Sequence, residues 1–384
     1  MKINIVLFWF MNDWGKYGRA YEMIATNLAK IHHVRKVICL FPPIEKEKFS
    51  FPIKLQEVNE KLFVVQRKCF VKSYGKPYRV RQWINTRTLY YLSVVFFKKL
   101  KLLEKNTILW VYPPHHDIEQ LLLTVPHSFL VTQIVDNNSF RSNSSNTRKA
   151  FVKSQYERLV QKSDLVITST KLNYDIFSKI NHSCGLFENA VDCAFIREPS
   201  MLPYLKKNTR PRLGYIGWIS ERTDIKLMCH IAKERPNYDL IIAGPQEIAL
   251  NEFGILDLPN VFYIGVIPYK EVPEFLQSID ICLIPHKDTL FSKTMSPLKL
   301  FQYLGSGRPI VSSSISGIER FKNLISVAID YDEFIKLIDE NLKTDNKMLS
   351  TKRINVAKNE TWEKRVNEMS EFVIGKYAHK NKQL

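Results

Sequence analysis

The run Ser296-Pro297-Leu298-Lys299-Leu300-Phe301-Gln302-Tyr303-Leu304-Gly305-Ser306-Gly307-Arg308-Pro309 places residue types at a spacing that can hold an anion. Ser296 is of a helix-capping type and Pro297 suits a first turn. Gly305 and Gly307 would end the helix. Leu298, Phe301 and Leu304 recur three apart and can face a sheet, while Lys299 and Gln302 share another face. The unpaired N–H groups and the dipole at a helix start favour negative charge, and Lys299 adds a full positive charge there. The same spacing also fits an amphipathic helix with a solvated lysine, and spacing alone leaves both readings open.

Other groups suit proton transfer or anion contact. Asp136 ends the expected strand 129–135 and precedes Asn137-Asn138. A carboxylate at a strand's carboxyl end faces a ligand cleft, although Asp136 also fits an Asx turn or a helix cap. His116 and Asp117 close the string Pro113-Pro114-His115-His116-Asp117, and histidine suits proton transfer near neutrality. Residues 12–19 form a glycine-containing loop before a helical pattern, without the G-x-G-x-x-G form. There Tyr17, Gly18 and Arg19 are candidate cleft residues. Arg19 either reaches a phosphate or carboxylate or lies on a helix surface. Asp330-Tyr331-Asp332 has the D-x-D form of a metal-binding string, but Asp332 fits as the N-cap of the next helix. No metal or cofactor is expected. The six cysteines are scattered without a C-x-x-C pair, which gives no zinc pattern and fits a reducing cytosol.

The elements that must position these groups alternate between strand-like and helix-like segments. Strands are expected at 3–10, 36–41, 62–65, 107–112, 128–135 and 165–169. Helices are expected at 17–30, within 81–103, and at 117–123, 147–162 and 172–180. Alternation of this kind gives a parallel sheet covered on both faces, and a strand apolar throughout, such as 3–10, fits that burial. That first run is too short for a signal peptide and lacks a cleavage site, so it reads as a strand. The pattern breaks at 200–212 and restarts. The second set has strands at 213–216, 239–243, 261–264, 279–284 and 309–312, and helices at 224–234, 269–277, 297–304, 332–342 and 362–377. The expected fold class is α/β: two Rossmann-like, doubly wound parallel-sheet domains facing a central cleft. Residues 1–205 form the first, 206–362 the second, and 363–384 a terminal helix packing back on the first.

The chain has 56 Lys and Arg against 38 Asp and Glu, a net charge of +18. Such a balance favours an anionic partner. Much of it falls in 66–105, where Arg67, Lys68, Lys72, Lys76, Arg79, Arg81, Arg87, Lys98, Lys99, Lys101 and Lys105 meet one acid, Glu104. Aromatic residues are interleaved, as on a surface that docks to anionic lipid. A solvated basic helix has the same composition. No nucleic-acid module is recognisable, and no nucleic-acid partner is expected.

The 296–309 run resembles the donor-site signature of GT-B glycosyltransferases. Further matches follow in order: Gly214-Tyr215-Ile216-Gly217-Trp218 resembles the opening of their donor domain, and "DLIIAGP" at 239–245 its second strand and turn. "PNVFYIGVIPYKEVPEFL" at 259–276 resembles the next strand and helix. "LVITST" and "ENAVD" resemble the end of the acceptor domain. The resemblance implies a glycosyltransferase that moves a sugar from a nucleotide-sugar, a UDP-sugar, to a lipid-linked or other glycan acceptor in polysaccharide biosynthesis. It implies a cytoplasmic enzyme, peripheral at the membrane.

In this scheme Lys299 contacts the donor diphosphate, Gln302 the ribose or phosphate, and Met295 and Ser296 line the donor entry. Gly217 lets backbone approach the phosphates, and Arg222 and Lys226 neutralise them or lie on a solvated helix face. Many retaining relatives carry glutamates where this chain has Thr294 and Gln302. "MSPLKLFQY" is similar to inverting glucuronosyltransferases of the xanthan pathway, and "VTQIVDNN" resembles the base-bearing strand of inverting relatives. Asp136 is then the candidate general base, with His116 and Asp117 as rivals. Two other classes fit the same motifs: a sugar-nucleotide 2-epimerase, and a catalytically idle partner of another transferase.

Overall fold

The structure is a computed structural model, and it describes residues 2–11, 13–42, 44, 53–67, 87–88, 91–95, 97–98, 106–115, 117–197 and 210–383. Two compact units divide the chain. The first comprises Met1–Ser139, Asn146–Phe187 and Val366–Leu384, and the second Phe140–Ser145 and Glu188–Arg365.

The first unit is built on β1 (Ile3–Phe8), β2 (Val34–Leu40), β3 (Ile53–Glu57), β4 (Leu62–Arg67), β5 (Thr107–Val111), β6 (Phe129–Ile134), β7 (Leu165–Thr168) and β8 (Cys184–Leu186). Their order in the sheet is β3-β4-β2-β1-β5-β6-β7-β8. All pairs are parallel except β3 with β4. Every residue of β1, β5, β6 and β7 is buried, which requires cover on both faces. Helices in this part of the chain include α1 (Ala20–Leu28), α2 (Asp117–Thr124), α3 (Asn146–Lys162) and α4 (Lys171–Phe177). β3 and β8 escaped the sequence reading because they are short edge strands. In β3 only Ile53 is buried, so its sequence lacks the apolar run of a central strand.

The second unit has β9 (Arg212–Ile216), β10 (Asp239–Ala243), β11 (Val261–Tyr263), β12 (Ile281–Ile284), β13 (Ile310–Ser313) and β14 (Ser326–Ala328). All are parallel, in the order β11-β10-β9-β12-β13-β14. This is the dinucleotide-fold order, and its direction reverses between β9 and β12. Helices α5 (Ile225–Glu234), α6 (Val272–Gln277), α7 (Leu290–Lys293), α8 (Leu298–Ser306), α9 (Tyr331–Thr344) and α10 (Lys347–Asn359) follow, then α11 (Trp362–Gln383). β12 shows why the layers form. Ile281 and Leu283 pack into a core with α5 and α9, whereas Cys282 and Ile284 pack into another with α6 and α8. Side chains that alternate along a strand thus fill two cores.

Several local expectations need correction. α1 begins at Ala20, not 17, because Arg19 is extended and Gly18 has a φ of 58°. The N-cap of α9 is Asp330, whose side chain accepts from Glu333 N, while Asp332 lies in the first turn. Ser296 does not cap α8. Pro297 holds the N-cap position, Gly305 lies inside the helix, and Gly307 is the C-cap. The apolar face of α8 is Leu300, Phe301, Tyr303 and Leu304, wider than a stripe of every third residue, and Leu298 is outside that core. Arg67 is no surface charge: it is fully buried in β4 and donates to the Phe41 carbonyl. Most of 66–105 lies outside the described residues.

Candidate functional site

The sheet order reverses between β9 and β12, and open α/β sheets hold ligands at the carboxyl ends of the strands at such a switch point. Three segments converge there. β9 runs into Gly217, whose φ is 151°, and a Cβ on it would lie 2.9 Å from Lys299 Nζ. β12 runs into Pro285 and His286. Two backbone bonds stitch this end to the 222–224 loop, Lys287 N to Arg222 O at 2.9 Å and Asp224 N to Pro285 O at 2.7 Å. α8 brings in Lys299 from its first turn. The approach of Gly217 is close on its other side too, since a Cβ on Gly244 would sit 2.0 Å from the Gly217 carbonyl oxygen.

Lys299 Nζ lies 3.0 Å from His286 Nε2 and 4.0 Å from the centroid of the Tyr215 ring. Tyr215 is held from below, its hydroxyl donating to Trp218 O at 3.1 Å and lying 3.2 Å from Thr223 Oγ1. Among the described residues no carboxylate pairs with Lys299. Burial, and then the Arg222 guanidinium, push the Lys299 ammonium well below the ordinary lysine range. Burial, followed by Lys299 and Arg222, pushes His286 well below the ordinary histidine value. A concentration of positive charge at a strand–helix switch point is an arrangement that receives an anion.

The start of α8 is arranged for the same purpose. No side chain caps it, so its first N–H groups are not taken by a cap. Ser296 is buried and occupied otherwise: Asn189 N donates to its hydroxyl at 3.0 Å and Asn189 Nδ2 to its carbonyl at 2.7 Å. Met295 is half-buried beside it. Gln302 is buried one turn after Lys299, and no hydrogen bond joins the two. Thr294 is fully buried, and its hydroxyl donates back to Phe291 O. Arg222 lies over the Phe291 ring, 4.8 Å from its centroid. Lys226 is exposed on α5, and Arg222 is the neighbouring cation whose charge reaches Lys299. Of the sequence candidates, the fold therefore gathers Gly217, Arg222 and Lys299, and leaves Lys226 aside. His286 and Tyr215 were missed as site residues. For His286 a signal existed, since it follows an apolar strand at its carboxyl end, as Asp136 does.

In the first unit the sheet order reverses between β1 and β5. Residues 13–19 follow β1. Arg19 Nε donates to Asp13 Oδ2 at 2.9 Å, its guanidinium stands 5.2 Å from the Tyr17 ring centroid, and Tyr21 OH donates to Asp13 Oδ1 at 3.1 Å. Gly18 is buried between Tyr17 and Arg19. Gly15 N donates to Glu22 Oε2 at 3.0 Å. After β5, Asp117 is buried at the start of α2 and its N–H donates to His115 Nδ1 at 3.1 Å. His116 lies outside the described residues. Asp136 follows β6 and is half-buried, and its carbonyl accepts from Tyr156 OH at 2.9 Å.

Residues 222–371 match the family described as Glycosyl transferase-like. The chain is 26% identical over 234 residues to TuaH of Bacillus subtilis (strain 168), named as a teichuronic acid biosynthesis glycosyltransferase. That match covers 57% of this chain and 58% of TuaH, so the aligned part spans a little over half of that relative. Sucrose-phosphate synthase (tll1590) from Thermosynechococcus elongatus superposes with a TM-score of 0.76 at 12% identity, over 98% of this chain and 100% of that one. Anabaena HepE, in complex with UDP and glucose, superposes with a TM-score of 0.66 at 12% identity, over 97% and 99%. The chain has the GT-B glycosyltransferase fold. Most of the matched residues lie in the second unit, and Arg222, His286 and Lys299 are among them. At these identities the superpositions speak for fold alone.

Proposed function

We propose that the protein is a glycosyltransferase that moves a sugar from a UDP-sugar to a lipid-linked or other glycan acceptor in cell-surface polysaccharide biosynthesis, without a metal. The carrying observation is Lys299 at the uncapped start of α8, beside Arg222 and with no carboxylate partner among the described residues. Departure of a nucleoside diphosphate develops negative charge on its phosphates. Fixed cations and N–H groups already in place stabilise that charge without reorganisation. Lys299 and Arg222 are the residues assigned to it, with Gly217 admitting the phosphates to the backbone, Gln302 reaching the ribose or phosphate, and Met295 and Ser296 at the donor entry.

Asp136 is assigned as the base that takes the acceptor hydroxyl's proton in an inverting displacement. Thr294 and Gln302 support inversion, since neither supplies the carboxylate of retaining relatives. The polysaccharide role is supported by the name of TuaH, and the UDP donor by the ligands of HepE. The peripheral membrane role rests on the basic region and on helical residues 91–95, where Tyr91, Leu92 and Val95 are exposed. No helix among the described residues is long and apolar enough to cross a membrane.

Transfer assays across nucleotide-sugars, comparing Lys299→Ala and Asp136→Asn with the wild type, test the assignments. Loss of a charge-stabilising donor is expected to slow transfer by about 100- to 1000-fold, and loss of a general base by about 100-fold or more. Full activity in both variants would remove these roles. A new nucleotide-sugar formed with no acceptor present, seen by NMR, would instead identify an isomerase.

A further inference from the structure

We propose that Lys299 and His286 form a proton-linked anion site: the pair takes up a proton from solvent when a nucleoside diphosphate binds, and His286 positions Lys299 for that contact. The inference rests on the reading of this switch point as the donor site.

Lys299 Nζ and His286 Nε2 are 3.0 Å apart. An ammonium has only donors, so a charged Lys299 requires an Nε2 lone pair, and a neutral imidazole then carries its proton on Nδ1. His286 is 4% exposed, and its Nδ1 is buried with no partner. In the other arrangement Nε2–H donates to a neutral amine, and Nδ1 is an orphaned lone pair. The pair holds one proton fewer than two separate cations in the first arrangement and two fewer in the second, and in both a buried polar atom is left unsatisfied.

The neighbouring cation and burial disfavour the doubly charged state, against one favourable contact, the Tyr215 ring 4.0 Å from Lys299 Nζ. Lys299 comes from α8, Arg222 comes from the loop after β9, and Tyr215 lies beneath with its hydroxyl bonded elsewhere. The acids flanking Arg222 in the chain are engaged: Glu221 pairs with Arg141 at 2.7 Å, and Asp224 caps α5 and accepts from Tyr331 OH. Burial lowers the proton affinity of both groups further. A diphosphate reverses this balance, because it supplies the acceptors and the negative charge that the site lacks. Proton affinity of the pair is therefore higher in the complex than in the free protein. The sign follows: UDP affinity falls as pH rises between the free and bound titration ranges, by at most about tenfold per pH unit for one linked proton.

The test is isothermal titration of UDP into the full chain at about pH 8, where the terminal phosphate with its second pKa of about 6 is already ionised. Repeating it in two buffers of different ionisation heat counts the protons exchanged. The wild type is expected to take up a measurable fraction of a proton per UDP. Lys299→Arg is expected to bind with less uptake, because guanidinium stays charged. His286→Gln keeps an acceptor but cannot titrate, and is expected to show less uptake and a weaker affinity, by about tenfold. Binding by the wild type with no buffer dependence, lost in Lys299→Ala, overturns this inference and leaves the donor site standing. No UDP binding at all, or equal binding by Lys299→Ala, overturns the donor-site reading and the inference with it. The wild-type measurement decides without the variants, so a variant that fails to fold does not shield the proposal.

Discussion

Glu22 shows how a single carboxyl can report on a loop. It is 6% exposed, and its Oε2 accepts the Gly15 N–H of the loop after β1. Burial is the main effect on its titration, with Asp13 adding to it, and together they outweigh the Gly15 and Arg19 N–H groups and the Arg19 charge. The carboxyl is pushed up to about 7 from an ordinary 4.5. The folded chain therefore holds a proton that the unfolded chain releases between those values. Stability from this group is fully present below about 4.5 and declines as pH rises towards 7, by about 3 kcal/mol at most. Melting temperatures across pH 5 to 8 are expected to fall more steeply for the wild type than for Glu22→Gln. Parallel curves would show that Glu22 is not the titrating group. Lys299 makes the contrasting case, because its position was legible from sequence. It sits in a helical first turn beside glycine-rich loops, a local pattern. His286 carried only the signal of following an apolar strand, since its place beside Lys299 depends on β12 lying beside β9, 68 positions away along the chain between Ile281 and Leu213.

At the scale of elements, the position of α8 depends on a residue far from it in sequence. Asn189, in the segment after β8, ties both the hydroxyl and the carbonyl of Ser296. Asn189→Ala leaves the buried Ser296 carbonyl without its side-chain donor, which costs about 1–3 kcal/mol. Because α8 starts immediately afterwards, the same variant is expected to weaken UDP binding as well as lower the melting point. A lower melting point with unchanged UDP affinity would separate the tie from the site. This bond explains the misreading of Ser296: a serine before Pro-x-Lys has the local signature of a cap, and only tertiary contact diverts it. Asp330 and Asp332 posed the opposite problem. Both are acids at the start of α9, and local sequence does not say which one the turn selects. The central strands were readable because burial on both faces leaves an apolar run, continuous in β12 and broken only by Asn4 in β1. β14 and α10 were missed. β14 has three residues and only Ala328 buried, and the buried face of α10 is interrupted by Ser350 and Arg353. Arg353 is buried there because it donates to the Gly307 carbonyl and to Asp345.

Across the whole molecule, the chain returns to its first unit at its end. Residues from Val366 onward group with that unit. Tyr377 lies edge-on to Phe129, and Lys380 Nζ reaches Asp164 Oδ1 at 2.7 Å. The net charge of +18 is also a property of the whole chain, and it carries the last prediction. Charge of this size favours any anionic surface, so attraction alone would not distinguish a membrane from a polyanion. Apolar side chains that enter the interface add the distinction, and Tyr91, Leu92 and Val95 are exposed within a segment that Arg87 and Lys98 flank. Two contributions imply two responses. Sedimentation with phosphatidylglycerol vesicles is expected at low salt and not with phosphatidylcholine vesicles. Binding should weaken as salt shortens the screening length from about 10 Å at 0.1 M to about 3 Å at 1 M. Tyr91→Ser with Val95→Ser should reduce vesicle binding at fixed salt without changing UDP affinity, since neither residue belongs to the donor site. Equal binding to both lipids, or binding indifferent to salt, would remove the electrostatic contribution. Unchanged binding by the double variant would remove the apolar one and leave the basic residues to act through charge alone.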